Sequence, residues 1–158
     1  MPNITRILCP VDFSETSEAA FKYAEDFASW VGASVVVAHA FDRPENYDYD
    51  GQRKPFDPSI KKKMLEIESR HENVILTHVV HAGDPGKVIC WFAEDLQCDM
   101  IIMGTHGRTG LMHMLFGSTA EYVLKHARCP VMTIRPQNQD LEALPEPIVA
   151  PLPAPRYL

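Results

Sequence analysis

Short apolar runs of strand length alternate along the chain with segments in which apolar residues recur every three or four positions, as they do on a helix with one buried face. The five strand-like runs are residues 6–12, 33–41, 73–82, 98–104 and 130–136, and four helix-period segments lie between them. This βαβαβαβαβ order predicts an α/β domain built on an open, mostly parallel five-stranded sheet, with helices on both faces and right-handed crossovers.

The first helix is predicted between Ser14, a favourable N-cap residue, and Gly32, which would end it. Its apolar residues follow the spacing of a single buried face. The predicted buried residues are Ala20, Tyr23, Ala24, Phe27 and Val31.

The next two helices are predicted from similar signals. One runs from Pro58 to His71, with Ile60, Met64 and Ile67 on its buried side. The other follows Asp84, a good N-cap, and begins with Pro85, whose missing N–H costs nothing in the first turn. Its inward residues are predicted to be Val88, Ile89, Phe92, Ala93 and Leu96.

Two segments do not fit the alternation. Residues 42–58 are polar and interrupted by prolines and a glycine, which predicts a long surface loop that serves either as a lid or binding loop or as a solvated insertion. Residues 137–158 contain five prolines and predict an extended tail, either disordered or lying on a partner. The expected organisation is therefore a domain over 1–136 and a Pro-rich tail over 137–158.

Charge and hydropathy exclude some classes of protein. The formal net charge of −6 argues against non-specific nucleic-acid binding, which needs a basic surface. No apolar run approaches the ~20 residues of a membrane span, and the N-terminus lacks the pattern of a signal peptide. We therefore expect a cytoplasmic protein without membrane or nucleic-acid partners.

Cysteine and histidine are dispersed along the chain. Cys9, Cys90, Cys98 and Cys129 form no C-x-x-C pair and are predicted to be buried apolar residues, although Cys9 has a redox-sensor role as its alternative. His78 and His81 lie three apart in a strand-like run, hence on opposite faces. The sequence therefore predicts no metal site.

Residues 101–121, IIMGTHGRTGLMHMLFGSTAE, join the fourth strand to the fourth helix through a glycine-rich segment. Neither the dinucleotide fingerprint G-x-G-x-x-G nor the P-loop G-x-x-x-x-G-K-[ST] is present. The spacing is instead G-x-x-G, nine residues, then G-S, carried by Gly104, Gly107 and Gly117-Ser118.

The chemistry of this segment suits a phosphate group. Ser118 and Glu121 form a predicted capping box, with Ser118 as the N-cap of a helix whose first turn offers free N–H groups and a positive dipole end. The hydroxyl of Thr119 and the charge of Arg108 would add to that site. The alternative is a capped helix and a tight loop that hold no ligand.

At this point the sequence resembles the ATP-binding branch of the universal stress protein family, whose nucleotide-binding signature is G-x-x-G-x9-G-[ST]. The likeness covers residues 4–136 apart from the lid-like loop, and includes ILCPVDFSETSEAAFKYA, CDMIIMGTHGRTG and GSTAEYVLKHARCPVMTIRP. It implies a Rossmann-like sheet of strand order 3-2-1-4-5. It also implies an ATP-binding regulator or sensor of the stress response, with at most slow hydrolysis.

The resemblance also implies a set of contacts to the nucleotide. Adenine would lie between Pro10, Val11 and Asp12 on one side and Ala40 on the other. Asp12 would accept from an amino group of the base or fix the loop through backbone bonds. His106, by its place inside the loop, is expected to order the loop or touch the ligand, with an acid or base role as its alternative. Mg²⁺ would be held mainly by phosphate oxygens and water. The residues near the ribose would be Met103 and Gly104, and those around the phosphates Gly107, Arg108, Thr109, Gly117, Ser118 and Thr119.

A homodimer is expected through the last strand, Val131–Arg135, as is common in that family. This strand would be an apolar sheet edge, and an open edge favours pairing with a second chain. Two other functions stay open on sequence alone: an ATPase or phosphoryl-transfer enzyme on the same scaffold, and a dimeric interaction module without a ligand. The sequence does not distinguish ATP from ADP or AMP.

Overall fold

The computed structural model describes residues 3–41, 58–105 and 116–135, in which five strands and four helices alternate as predicted. The predicted loop over 42–58, apart from Pro58, and the predicted tail lie outside the described residues. In chain order the elements are β1 (Arg6–Pro10), α1 (Glu15–Val31), β2 (Ser34–Phe41), α2 (Pro58–Leu65), β3 (Leu76–Ala82), α3 (Pro85–Asp95), β4 (Met100–Gly104), α4 (Ser118–His126) and β5 (Val131–Ile134).

The five strands form one parallel sheet in the order β3-β2-β1-β4-β5, which confirms the predicted fold class. β1 lies at the centre, where Ile7 pairs with Val35 of β2 and with Met100 of β4. α1 and α4, the helices that follow β1 and β4, lie on opposite faces of the sheet, so a crevice opens at the carboxyl ends of these strands. Sheets of this kind bind ligands at such a reversal of strand order.

Each face of the sheet is covered by a separate apolar layer. Along β2, Val35 and Val37 pack under α1 and α2, whereas Val36 and Ala38 pack under α3 and α4. All four side chains are almost fully buried. This confirms that β2 is a strand covered on both faces, as its continuous apolar run predicts.

The predicted ends of α1 are confirmed, but the prediction of burial is wrong for two of its residues. The Ser14 side chain accepts a hydrogen bond from the Ser17 N–H, and Gly32 ends the helix in the left-handed region at φ +77°. Tyr23 and Val31 are exposed. The observed buried face is rotated relative to the predicted one, because it includes Glu25, a charged residue that the spacing of apolar residues cannot detect. The buried residues are Ser17, Ala20, Phe21, Ala24, Glu25 and Ala28.

Polar contacts to α1 also explain why α2 ends at Leu65 rather than at His71. The carboxylate of Glu25 is only 1% exposed and accepts hydrogen bonds from the Ser69 hydroxyl, the Arg70 backbone N–H and the Arg70 guanidinium. These bonds require the chain after Leu65 to turn towards α1, which is incompatible with a continued helix. Met64 is buried as predicted, and Ile60 and Ile67 pack against the same apolar layer.

The remaining boundaries differ little from the predictions. α3 begins at Pro85 after an Asp84 cap that accepts from the Lys87 N–H, and its predicted inward residues are buried or half-buried. β3 begins at Leu76, later than predicted. None of the helices in the described ranges is long and apolar enough to cross a membrane.

Candidate functional site

A cavity of about 620 Å³ lies at the carboxyl ends of β1, β2 and β4. This volume falls in the range of small-molecule sites, roughly 300–1,000 Å³. The predicted site residues that the structure describes all line it: Pro10, Val11, Asp12, Ala40, Met103, Gly104, Gly117, Ser118 and Thr119. His106, Gly107, Arg108 and Thr109 lie outside the described residues.

The turn after β1 forms one wall of the cavity. Asp12 Oδ1 accepts hydrogen bonds from the backbone N–H of Ser14 at 3.0 Å and from its hydroxyl. Phe13, between them, adopts φ +64°, a left-handed conformation that is unusual for a bulky side chain. The Asp12 carboxylate therefore fixes this loop through a backbone hydrogen bond.

His39 also belongs to the cavity wall, although the sequence analysis did not select it. The residue is 6% exposed, its Nδ1 lies 2.7 Å from the Val11 carbonyl oxygen, and the centroid of its ring lies 4.7 Å from that of the Phe13 ring. A histidine inside the apolar run of β2 is the sequence signal that would have identified it, because a buried polar ring needs a partner.

The opposite wall is the amino end of α4, which a backbone hydrogen bond holds beside β4. The N–H of Gly117 donates to the carbonyl oxygen of Thr105 at 2.7 Å, and Glu121 N–H closes the first helical turn on the Gly117 carbonyl at 3.0 Å. The N–H groups of the first turn have no partners within the helix, which makes them available to an anion.

The predicted capping box at this helix is wrong. Gly117, not Ser118, is the N-cap residue, and no side chain caps the helix. Ser118 is the first helical residue and is exposed. Glu121 instead pairs with Lys125 one turn later at 2.6 Å. Because Ser118 does not cap the backbone, its hydroxyl can face the cavity that it lines.

Gly104 is required by a contact within the protein. A β-carbon on Gly104 would lie 2.7 Å from Thr16 Cγ2 and 3.2 Å from the Thr16 carbonyl carbon and oxygen. The end of β4 and the first turn of α1 therefore pack backbone to backbone, which leaves no room for a side chain at Gly104.

Charge in the cavity wall is sparse among the described residues. Besides Asp12, the charged side chain that lines it is Lys63 of α2, whose Nζ lies 5.4 Å from the centre of the Phe13 ring. In the three described ranges, no cluster of three or more His, Cys, Asp or Glu residues is arranged to hold a metal ion.

Cys9 precedes Pro10 of the cavity wall but is chemically unsuited to redox sensing. Its side chain is fully buried, and that burial, reinforced by the nearby Glu25, raises the pKa of the thiol to about 12. Since the thiolate is the reactive species, an apolar packing role fits Cys9 better.

Comparisons with known proteins match this chain to one family. Residues 3–135 match the Universal stress protein family. Universal stress protein MJ0577 of Methanocaldococcus jannaschii is 32% identical over 155 residues, a match that covers 84% of this chain and 96% of that protein. The solved structure of MJ0577 superposes with a TM-score of 0.66 at 30% identity, covering 87% of this chain and 99% of the other.

Two more distant structures share the fold. A universal stress protein in complex with cAMP has a TM-score of 0.63 at 16% identity, covering 84% of this chain and 98% of that one. A family member from Arabidopsis thaliana with AMP bound has a TM-score of 0.57 at 22% identity, covering 85% and 93% of the two chains.

Proposed function

The chain belongs to the universal stress protein family, and from that premise we propose that it is an ATP-binding regulator or sensor of the stress response that hydrolyses its nucleotide slowly, if at all. The base would occupy the end of the cavity formed by Pro10–Asp12 and Ala40, and the phosphates the end formed by α4. Met103 and Gly104 would lie between them, beside the ribose.

One observation carries the proposal. The Gly117 N–H to Thr105 carbonyl bond brings the amino end of α4 to the end of β4, so the free N–H groups of that helix and the turn after β1 line one cavity. A helix amino end stabilises a phosphate through its N–H groups and its dipole. Gly107, Arg108 and Thr109 would complete the phosphate contacts.

Adenine is the proposed base because two proteins of the same fold hold adenine nucleotides, cAMP in one and AMP in the other. These ligands share adenosine and one phosphate, which matches the division of the cavity into an apolar end and a helix end. A triphosphate is proposed because the glycine spacing resembles the signature of the ATP-binding branch of the family. Mg²⁺ would accompany it through phosphate oxygens and water, since the described residues offer no carboxylate cluster for it.

Slow hydrolysis is proposed from the chemistry of the described wall residues. Asp12 Oδ1 is engaged by Ser14, and the N–H groups of α4 bind phosphate without activating water. The expected homodimer through β5 and the cytoplasmic location remain part of this proposal.

Identification of the ligand that co-purifies with the protein tests the proposal. Protein purified without added nucleotide is denatured, and the released small molecules are separated and identified by mass spectrometry. We expect an adenine nucleotide in the wild type and a strong reduction in Gly117→Val, because a branched side chain at the N-cap would obstruct the phosphate end. Gly32→Asn, at the distant end of α1, is the control and should retain the ligand, because asparagine tolerates the left-handed conformation found there. Recovery of no nucleotide, together with no binding of added ATP, would contradict the proposal.

A further inference from the structure

The histidine in the cavity wall has a defined hydrogen-bonding direction. Its Nδ1 faces the carbonyl oxygen of Val11 at 2.7 Å. A carbonyl oxygen only accepts, so Nδ1 carries the hydrogen and donates it. In the neutral ring, the other nitrogen, Nε2, is then an acceptor with a free lone pair.

That lone pair is directed to the cavity. No hydrogen-bond partner of Nε2 is found among the described residues, yet every fully buried side-chain nitrogen and oxygen in those residues has a partner. Nε2 of His39 therefore keeps contact with solvent, and the space that His39 lines is the cavity. A ligand that covers this acceptor should supply a donor to it, because leaving the acceptor unpaired costs about 1–3 kcal/mol.

Contacts with Phe13 and the Val11 carbonyl fix the position of the His39 ring. Phe13 packs against it at 4.7 Å between centroids, and Phe13 is itself held at φ +64° by the Asp12–Ser14 turn. A bulky residue in the left-handed region is strained and persists where the surrounding structure imposes it, often at binding sites. The turn thus holds the Phe13 ring against His39 at the end of the cavity assigned to the base.

We propose that His39 is a specificity-determining residue of the nucleotide site: its Nε2 accepts a hydrogen bond from the exocyclic amino group of adenine and thereby excludes purines that carry a carbonyl group there. This inference rests on the proposed function. Guanine and hypoxanthine present an acceptor at that position, so two lone pairs would face each other with no hydrogen between them. Discrimination of this kind is large when a built-in polar partner is left unpaired.

Binding of ATP and inosine triphosphate tests the assignment, because the latter replaces the amino group with a carbonyl. We expect the wild type to bind ATP about tenfold or more tightly than inosine triphosphate, the ratio that corresponds to one unpaired polar group. His39→Phe keeps a ring against Phe13 and removes the acceptor, so the two affinities should approach each other. His78→Phe is the matched control, because His78 also bonds to a carbonyl, that of Ile67 at 2.9 Å, but does not line the cavity.

The outcomes separate the two proposals. If the wild type binds neither nucleotide, the proposed function fails. If it binds ATP but shows no preference, or if His39→Phe keeps the wild-type ratio, nucleotide binding stands and the role of His39 is overturned.

A second measurement does not depend on the folding of a variant. Nitrogen-15 spectra of the wild-type imidazole should show hydrogen on Nδ1, and the Nε2 resonance of His39 should move when ATP is added but not when inosine triphosphate is added. Hydrogen on Nε2 in the free protein, or an Nε2 chemical shift that does not change when ATP is added, would overturn the assignment.

Discussion

At the residue scale, Gly104 determines how closely α1 approaches the end of β4. There is no room for a β-carbon at Gly104. Such an atom would lie 2.7 Å from Thr16 Cγ2 and 3.2 Å from Thr16 backbone atoms. A flexible side-chain atom can move aside, but backbone in the first turn of a helix moves only with the helix. The sequence motif identifies this glycine, but it does not reveal that the partner is α1.

Gly104→Ala should therefore destabilise the protein by about 1–3 kcal/mol, the usual cost of overpacking. Chemical denaturation measures it. Thr16→Ser removes Cγ2, so the double variant should recover part of the loss while the backbone contacts keep it below the wild type. Equal stability of Gly104→Ala and the wild type would mean that the crevice is wider than described.

Asp99, at the start of β4, ties that strand to β1. Its Oδ2 accepts from the Thr5 N–H at 2.7 Å, the Thr5 hydroxyl at 2.9 Å and the Arg6 N–H at 2.9 Å. The backbone hydrogen bond from Thr5, together with the other two bonds and the Arg6 charge, lowers the pKa of Asp99.

A lowered pKa in the folded state gives stability that is present above the unfolded-state pKa, about 3.9, and is lost as the pH falls through the folded-state value. Urea denaturation between pH 6 and pH 3 should therefore show a shallower acid decline for Asp99→Asn than for the wild type. Parallel curves for the two proteins would show that Asp99 does not contribute to acid sensitivity.

At the element scale, the helices illustrate what a sequence can and cannot specify. Local signals placed the ends of α1 correctly, because Ser14 and Gly32 act through bonds within a few residues. The end of α2 and the buried face of α1 depend on Glu25 and Arg70, which are 45 residues apart. A contact between residues this far apart does not affect the local spacing of apolar residues. A glutamate is predicted to be on the surface unless its buried partner is known.

The same reasoning applies to the candidate site. Glycine spacing and family resemblance identified residues that the structure gathers around one cavity, including Asp12, Ala40 and Gly117. His39 and Lys63 were not predicted as site residues, because His39 is one polar residue in an apolar strand and Lys63 is one of several lysines on α2. The N-cap of α4 was assigned one residue too late, since the Gly117–Thr105 bond that anchors it is a tertiary contact.

The Glu25–Arg70 pair yields a prediction about α1 and the segment after α2. Arg70→Met leaves the Glu25 carboxylate, which is 1% exposed, without its cationic partner, and an unpaired buried charge is costly. The urea midpoint should fall clearly more than in Arg128→Met, whose partner Glu94 is half-exposed and whose pair at 2.6 Å contributes little. Similar losses in the two variants would contradict a structural role for the buried pair.

At the scale of the whole molecule, β3 and β5 are the edge strands of the sheet that the described residues form. The carbonyl oxygens of Pro130 and Ile134 accept from Ile101 of β4 and from Thr105, the residue after it. By strand alternation, the N–H of Thr133 therefore points away from β4. Val131, Met132 and Ile134 are half-buried within the single chain. Pairing of two β5 strands would cover this edge and join two sheets.

Thr133→Pro removes an edge N–H and should convert the expected dimer into a folded monomer, because proline is tolerated on edge strands but cannot donate. Sedimentation velocity measures the change. Val80→Pro makes the matched change at the β3 edge and should leave the dimer intact. A Thr133→Pro protein that remains dimeric would exclude pairing through β5.

The account depends most on one property, the binding of an adenine nucleotide in the cavity between the β1 turn and α4. Isothermal titration of ATP into extensively dialysed wild-type protein measures it directly. We predict one nucleotide bound per chain, accompanied by a higher melting temperature, because a ligand that binds the native state stabilises it. Absence of binding heat for ATP, ADP and AMP, with no change in melting temperature, would contradict the central claim.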